Sequence, residues 1–170
     1  MTQTASASTG APSHDGAPVS IQPLRVVLDT NVLLSLFVFA DSRYAPLRAA
    51  IESGRWAGYA SAATLAEFRR VLGYPIFSLS PDAQDAAYAD WMALARHPGP
   101  PPPHRELLPP CRDKDDQKFL ELARDARAKW LITSDKALLA LARRGKLARL
   151  LRILTPEAAL RELVGAVTPA

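Results

Sequence analysis

The sequence predicts an α/β fold, a three-layer α/β/α sandwich around a central parallel sheet. Three observations predict it. Short apolar runs, mostly rich in β-branched residues, recur at 24–28, 56–60, 130–133 and 151–154. A stretch of helical periodicity follows each run, and strands alternating with helices bury both faces of a parallel sheet. The third is size: 170 residues, 48% of them hydrophobic, make one compact core rather than two. The domain is placed at 23–166, behind a floppy tail at 1–22 rich in Ala, Ser, Thr and Gly.

Taken in order, 24–28 (LRVVL) reads as a buried strand closed by Asp29-Thr30-Asn31. An apolar helix at 32–39 follows, with Thr30 or Asn31 as its cap, and a second helix at 44–53 stops at Gly54. After the strand at 56–60, Ser61 caps a helix reaching Leu72, with Leu65, Phe68, Val71 and Leu72 as its core stripe. Gly73 and Pro75 end it. Ser80-Pro81 opens a helix at 82–96 whose apolar side carries Tyr88, Trp91, Met92 and Ala95.

The run at 97–104 (HPGPPPPH) is neither helix nor central strand and reads as a stiff surface connection. Asp115 caps a helix to about 128, with Phe119, Leu120, Leu122, Ala123 and Ala126 spaced for burial. Ser134, after the strand at 130–133, caps a helix at 135–143. Pro156, after the strand at 151–154, begins the last one, to about 164.

Composition excludes several classes. The longest apolar stretch, 32–40, is interrupted by Ser35 and falls short of the roughly 20 residues that a membrane span needs. Residues 1–20 hold no apolar signal core and no arginine. A single cysteine, Cys111, forbids an internal disulfide and fits a reducing, cytoplasmic setting. The net charge of +4 is unevenly spread. Arg124, Arg127, Lys129, Lys136, Arg143, Arg144, Lys146, Arg149 and Arg152 face only Asp125 and Asp135 between 124 and 152. Such a band attracts a phosphate backbone, and a solvated helix face accounts for it equally well.

Chemistry is suggested by acidic residues in equivalent places. Asp29 directly follows the first strand and Asp135 follows the third after one residue. Loops at the carboxyl ends of parallel strands line one edge of the sheet, where ligands bind, so both side chains belong there. Each also stands near a helix N-terminus, which favours the ionised carboxylate. Glu67, two turns into its helix, and Asp116, at the rim of the stripe Leu120 and Ala123, reach the same edge. Carboxylates crowded in one pocket repel unless a cation joins them, and Mg2+ or Mn2+ prefers such oxygen donors. Each acid alone has an ordinary role: a cap for Asp29 or Asp135, a surface pair with Arg69 or Arg70 for Glu67, a solvated turn for Asp116.

Other designs lack their parts. His14 lies in the tail, and His97 and His104 flank the proline run. Cys111 has no histidine nearby, there is no phosphate-binding glycine loop, and zinc ligands are missing. A phosphoacceptor signalling domain would need an acidic pair after the first strand, where Asp29 stands alone.

The string Val26-Val27-Leu28-Asp29-Thr30-Asn31-Val32 resembles the opening strand of PIN domains, with an Asp-Thr-Asn turn carrying the first metal ligand. Residues 61–68 (SAATLAEF) resemble the segment of the second acidic ligand, and 130–135 (WLITSD) the fourth motif. The stretch 111–123 (CRDKDDQKFLELA) is similar to the third motif of the bacterial branch of toxin–antitoxin toxin components, the VapC-like ribonucleases. Residues 153–157 (ILTPE) resemble the closing strand and turn, so the likeness spans 24–163.

The resemblance implies Mg2+- or Mn2+-dependent ribonuclease activity, with Asp29, Glu67, Asp116 and Asp135 as catalytic, metal-holding residues. It implies that Asn31 and Ser134 are polar groups beside the ligands or toward the phosphate, with Asp113 as an additional acid. Arg143, Arg144 and Lys146 are expected on the RNA backbone. A cognate antitoxin and a homodimer are implied too. One-ion and two-ion arrangements both fit the sequence, and a PIN-like module that binds RNA or protein without cutting is the alternative. The tail and the proline-rich insertion depart from the pattern.

Overall fold

Four parallel strands form one sheet in the order β2-β1-β3-β4: β1 Leu24–Leu28, β2 Trp56–Tyr59, β3 Trp130–Ile132 and β4 Arg152–Leu154. The computed structural model describes residues 22–100, 107–143, 145 and 147–165. The expected tail, apart from Gln22, and residues 101–106 of the proline-rich stretch lie outside the described residues.

The pleat sends alternate side chains to opposite faces. Val26 and Leu28 of β1 and Ile132 of β3 enter one core, while Val27 and Leu131 enter another. The first core is closed by α1 (Thr30–Leu33), α2 (Ala45–Glu52), α3 (Ala62–Leu72), α4 (Pro81–Leu94) and α8 (Pro156–Gly165). The second is closed by α5 (Gln117–Asp125), α6 (Lys136–Leu141) and α7 (Leu147–Leu150). This is the expected three-layer sandwich. Among the described residues no helix is long and apolar enough to cross a membrane.

Local packing explains several details. Trp91 of α4 is 1% exposed and lies on β2, where a Cβ at Gly58 would stand 2.7 Å from its Cη2 atom. Gly54 takes φ +75 at the end of α2, a conformation that costs glycine no Cβ clash. Ser61 and Thr64 form a reciprocal capping box at the start of α3.

The structure corrects the predicted boundaries mainly at helix starts. The first helix begins at Thr30, capped by Asp29 rather than by Thr30 or Asn31, and its apolar run continues as a π-helical segment, Leu34–Val38. Asp135, not Ser134, caps α6, and Asp113, not Asp115, caps the 3-10 turn Lys114–Asp116 that leads into α5. In the last two the aspartate oxygen accepts a backbone N–H directly, so the carboxylate wins the position. Helix α5 ends at Asp125, and Arg127 then takes a left-handed φ of 51. Met92 is exposed rather than on the apolar side of α4. The short α7 was not expected.

Candidate active site

Strand order reverses between β1 and β3: the chain leaves β1 for β2 on one side and returns to β3 on the other. A crevice at the carboxyl ends of the strands belongs at such a point. Asp29 leaves β1 there, its N–H donating to the Ile132 carbonyl at 2.9 Å, and its side chain is 4% exposed. Thr133 leaves β3 beside it, fully buried. Its Oγ1 donates to Asp29 Oδ2 at 2.6 Å and accepts from the Asp135 N–H at 2.9 Å. Asp135 commits Oδ1 to the first turn of α6, accepting from the N–H groups of Ala137 at 2.6 Å and Leu138 at 3.0 Å. Among the described residues its Oδ2 has no hydrogen bond.

The two helical acids meet this pair from α3 and from the entry to α5. Thr30 Oγ1, buried beside Asp29, donates to Glu67 Oε1 at 2.6 Å. Glu67 Oε2 forms a close ion pair with Lys118 Nζ. The ordinary alternative for Glu67, a surface pair with Arg69 or Arg70, does not occur; Arg69 pairs with Asp85, and the Arg70 guanidinium lies over the Tyr74 ring. Asp116 ends the 3-10 turn two residues before Lys118. A line of contacts thus runs from Asp135 through Thr133, Asp29, Thr30 and Glu67 to Lys118.

Electrostatics reports the same convergence. Burial raises the Asp29 carboxyl, with the Glu67 charge adding to it, against the Thr133 hydroxyl and the Thr30 and Asn31 amides. Asp116 is pushed up to about 6, first by burial, then by the negative charges of Asp135, Asp113, Asp29 and Glu67. The Cys111 thiol rises to about 11 through burial and the charges of Asp116, Asp135 and Asp113. Four acids therefore act on the Asp116 carboxyl group.

The donor set suits a hard divalent cation: carboxylate oxygens, with a thiol held neutral and, among the described residues, no imidazole lining the cleft. Among the described residues no three acidic, histidine or cysteine side chains stand close enough to make a finished chelate. Holding an ion therefore takes side-chain rotation. Asp116 and Asp135 line a cleft of about 1220 Å3 together with Asp113, Arg112, Lys114 and Lys136.

Of the other expected residues, Asp113 lines this cleft. Asn31 and Ser134 are exposed beyond the carboxyl ends of β1 and β3, and Asp113 is exposed with its side chain accepting from the Asp115 N–H at 2.9 Å. Arg143 is exposed in the turn after α6, beyond the opposite end of that helix from Asp135. Arg144 and Lys146 lie outside the described residues. Part of the positive band faces elsewhere. Arg127, Lys129 and Arg149 line a cavity of about 360 Å3 with Leu120 and Leu151, at the amino ends of β3 and β4 and so at the opposite edge.

Against known families, the profile of the PIN domain matches residues 25–137, which include all four candidate acids. The chain belongs to the PIN-domain family. PIN domains are generally nucleases and generally use divalent metal ions, so a nucleic acid is the expected kind of substrate. No curated protein and no solved structure matched the chain.

Sequence reasoning missed Thr30, Thr133 and Lys118 as partners of the acids in this PIN domain. The two threonines lie inside the motifs at the strand ends, where a hydroxyl next to a carboxylate was the available signal. The cleft cations Arg112 and Lys114 were not singled out either, because alternating charges read as a solvated turn, and Lys136 was counted only within the positive band.

Proposed function

We propose that this PIN domain is an endoribonuclease that hydrolyses RNA phosphodiesters with Mg2+ or Mn2+, and that it is the toxin of a toxin–antitoxin pair. The observation that carries this reading is the set of hydrogen bonds through Thr133 and Thr30 that ties Asp135, Asp29 and Glu67, distant in the chain, to the strand-order reversal, with Asp116 lining the cleft beside Asp135. A bound divalent ion would supply a coordinated water acidic enough to act as hydroxide near neutral pH. Asp29, Asp116 and Asp135 hold the ion in this proposal. Thr133 fixes the rotation of Asp29, and α6 occupies one oxygen of Asp135 while leaving the other for the ion. Arg112, Lys114 and Lys136 on the cleft wall take flanking phosphates; Arg143, Arg144 and Lys146 are further backbone contacts proposed from the sequence alone.

The choice of RNA, a cognate antitoxin and a homodimer rest on the resemblance to the family, the toxin role on the likeness of 111–123 to its toxin branch, and a cytoplasmic setting on the single cysteine. The test is cleavage of a mixed RNA panel with Mg2+ or Mn2+ by the wild-type chain, Asp29→Asn and Asp116→Asn. Cleavage by the wild type alone is expected. Either variant cutting at the wild-type rate refutes the assignment, and RNA bound but uncut by the wild type favours a binding module. Growth arrest on induction, relieved by the neighbouring reading frame, tests the toxin role.

A further inference from the structure

We propose that the Lys118 ammonium supplies the second positive charge of this site, so that the domain holds one divalent ion and Glu67 is not among its ligands. The inference rests on the metal-dependent reading above and settles its ion count. Both oxygens of Glu67 are already engaged: Oε1 accepts the Thr30 hydroxyl at 2.6 Å and Oε2 pairs with Lys118 Nζ. The pair is largely shielded, the side chains of Lys118 and Glu67 being 21% and 14% exposed. A cation entering at Glu67 would have to displace the ammonium and leave it without its anionic partner in a poorly solvated place, which is costly.

Two-ion sites place their cations on either side of the reacting phosphate, where the second neutralises the leaving oxygen. An ammonium can supply charge there without stripping the tightly held waters of a magnesium ion. Lys118 is built for a fixed position. It stands in the first turn of α5, two residues after Asp116, and its Nζ lies 5.7 Å from the centroid of the Phe119 ring. The helix start that offers Asp116 to the ion therefore also carries the cation that neutralises Glu67. Asp29, Asp116 and Asp135 remain without a cationic side chain paired to them among the described residues, and these three are left to the ion.

The experiment counts Mn2+ ions on the full, metal-stripped chain, following the signal of free Mn2+ by electron paramagnetic resonance and the binding heat by calorimetry. Wild type and Lys118→Arg are expected to hold one ion each. Lys118→Met, which keeps the packing and frees Glu67, is expected to hold two. Two ions on the wild type, or one on Lys118→Met, overturn the inference while metal dependence stands. No ion on the wild type overturns both. Should Lys118→Met not fold, the wild-type and Lys118→Arg counts still decide.

Discussion

Replacing Asp116 by asparagine is expected to stabilise the metal-free protein at pH 7 while abolishing cleavage. The Asp116 carboxyl titrates at about 6 in the folded chain against 3.8 when unperturbed, because burial and four neighbouring acids oppose its charge. Two units of difference correspond to about 3 kcal/mol. Asp116 is only partly buried, so solvent screening reduces the realistic gain to about 1 kcal/mol, or roughly 3 °C in the unfolding midpoint. Since the folded-state pKa is the higher one, the folded protein binds more protons between pH 3.8 and about 6. Wild-type stability therefore gains from this group as pH falls through that window. The asparagine variant lacks the gain, so its advantage is full above about pH 6 and gone near pH 4. Thermal unfolding in a chelator from pH 4 to pH 8 measures it. A lower midpoint for Asp116→Asn at pH 7, or an advantage that persists unchanged to pH 4, refutes the like-charge reasoning.

Thr133→Val removes the hydroxyl shared by Asp29 and the Asp135 N–H; about 2 kcal/mol of stability should be lost, and cleavage should fall about 10- to 100-fold. An unchanged midpoint and rate would show that the bond orients nothing. Gly58→Ala places a methyl 2.7 Å from Trp91 Cη2 in the first core; the variant should lose about 1–3 kcal/mol in denaturant unfolding, and wild-type stability would mean that the indole moves freely. Cys111, raised from 9.0 to about 11, should react with iodoacetamide at pH 8 at least about a hundredfold more slowly than in the denatured chain. Equal rates in the two states would contradict its burial among the carboxylates.

Much of the fold was legible because strands buried on both faces appear as short unbroken apolar runs. Val26, Val27 and Leu28 are all buried, and the runs at 24–28 and 130–133 matched β1 and β3 to within a residue. Helix starts were less legible. Asp29-Thr30-Asn31, Ser134-Asp135 and Asp113-Lys114-Asp115 each offer more than one good capping residue, and composition does not say which takes the extended conformation of a cap. The aspartate at the strand or loop end held that position in every case. Helix α7, four residues between Gly145 and β4, is too short to show a period.

The sequence by itself determined the alternation of strands and helices, the all-parallel sheet and the placing of Asp29 and Asp135 at its carboxyl edge. Those properties depend on the local order of apolar and polar residues, which is written along the chain. Only the tertiary structure decided that β1 and β3 are neighbours, that Thr133 bonds to Asp29 across 104 positions, and that Glu67 answers to Thr30 and Lys118 rather than to the arginines beside it. Such partners are chosen by packing: α3 and α5 settle on the sheet through Phe68 and Phe119, and the polar groups at their edges pair with whatever that settlement brings within reach.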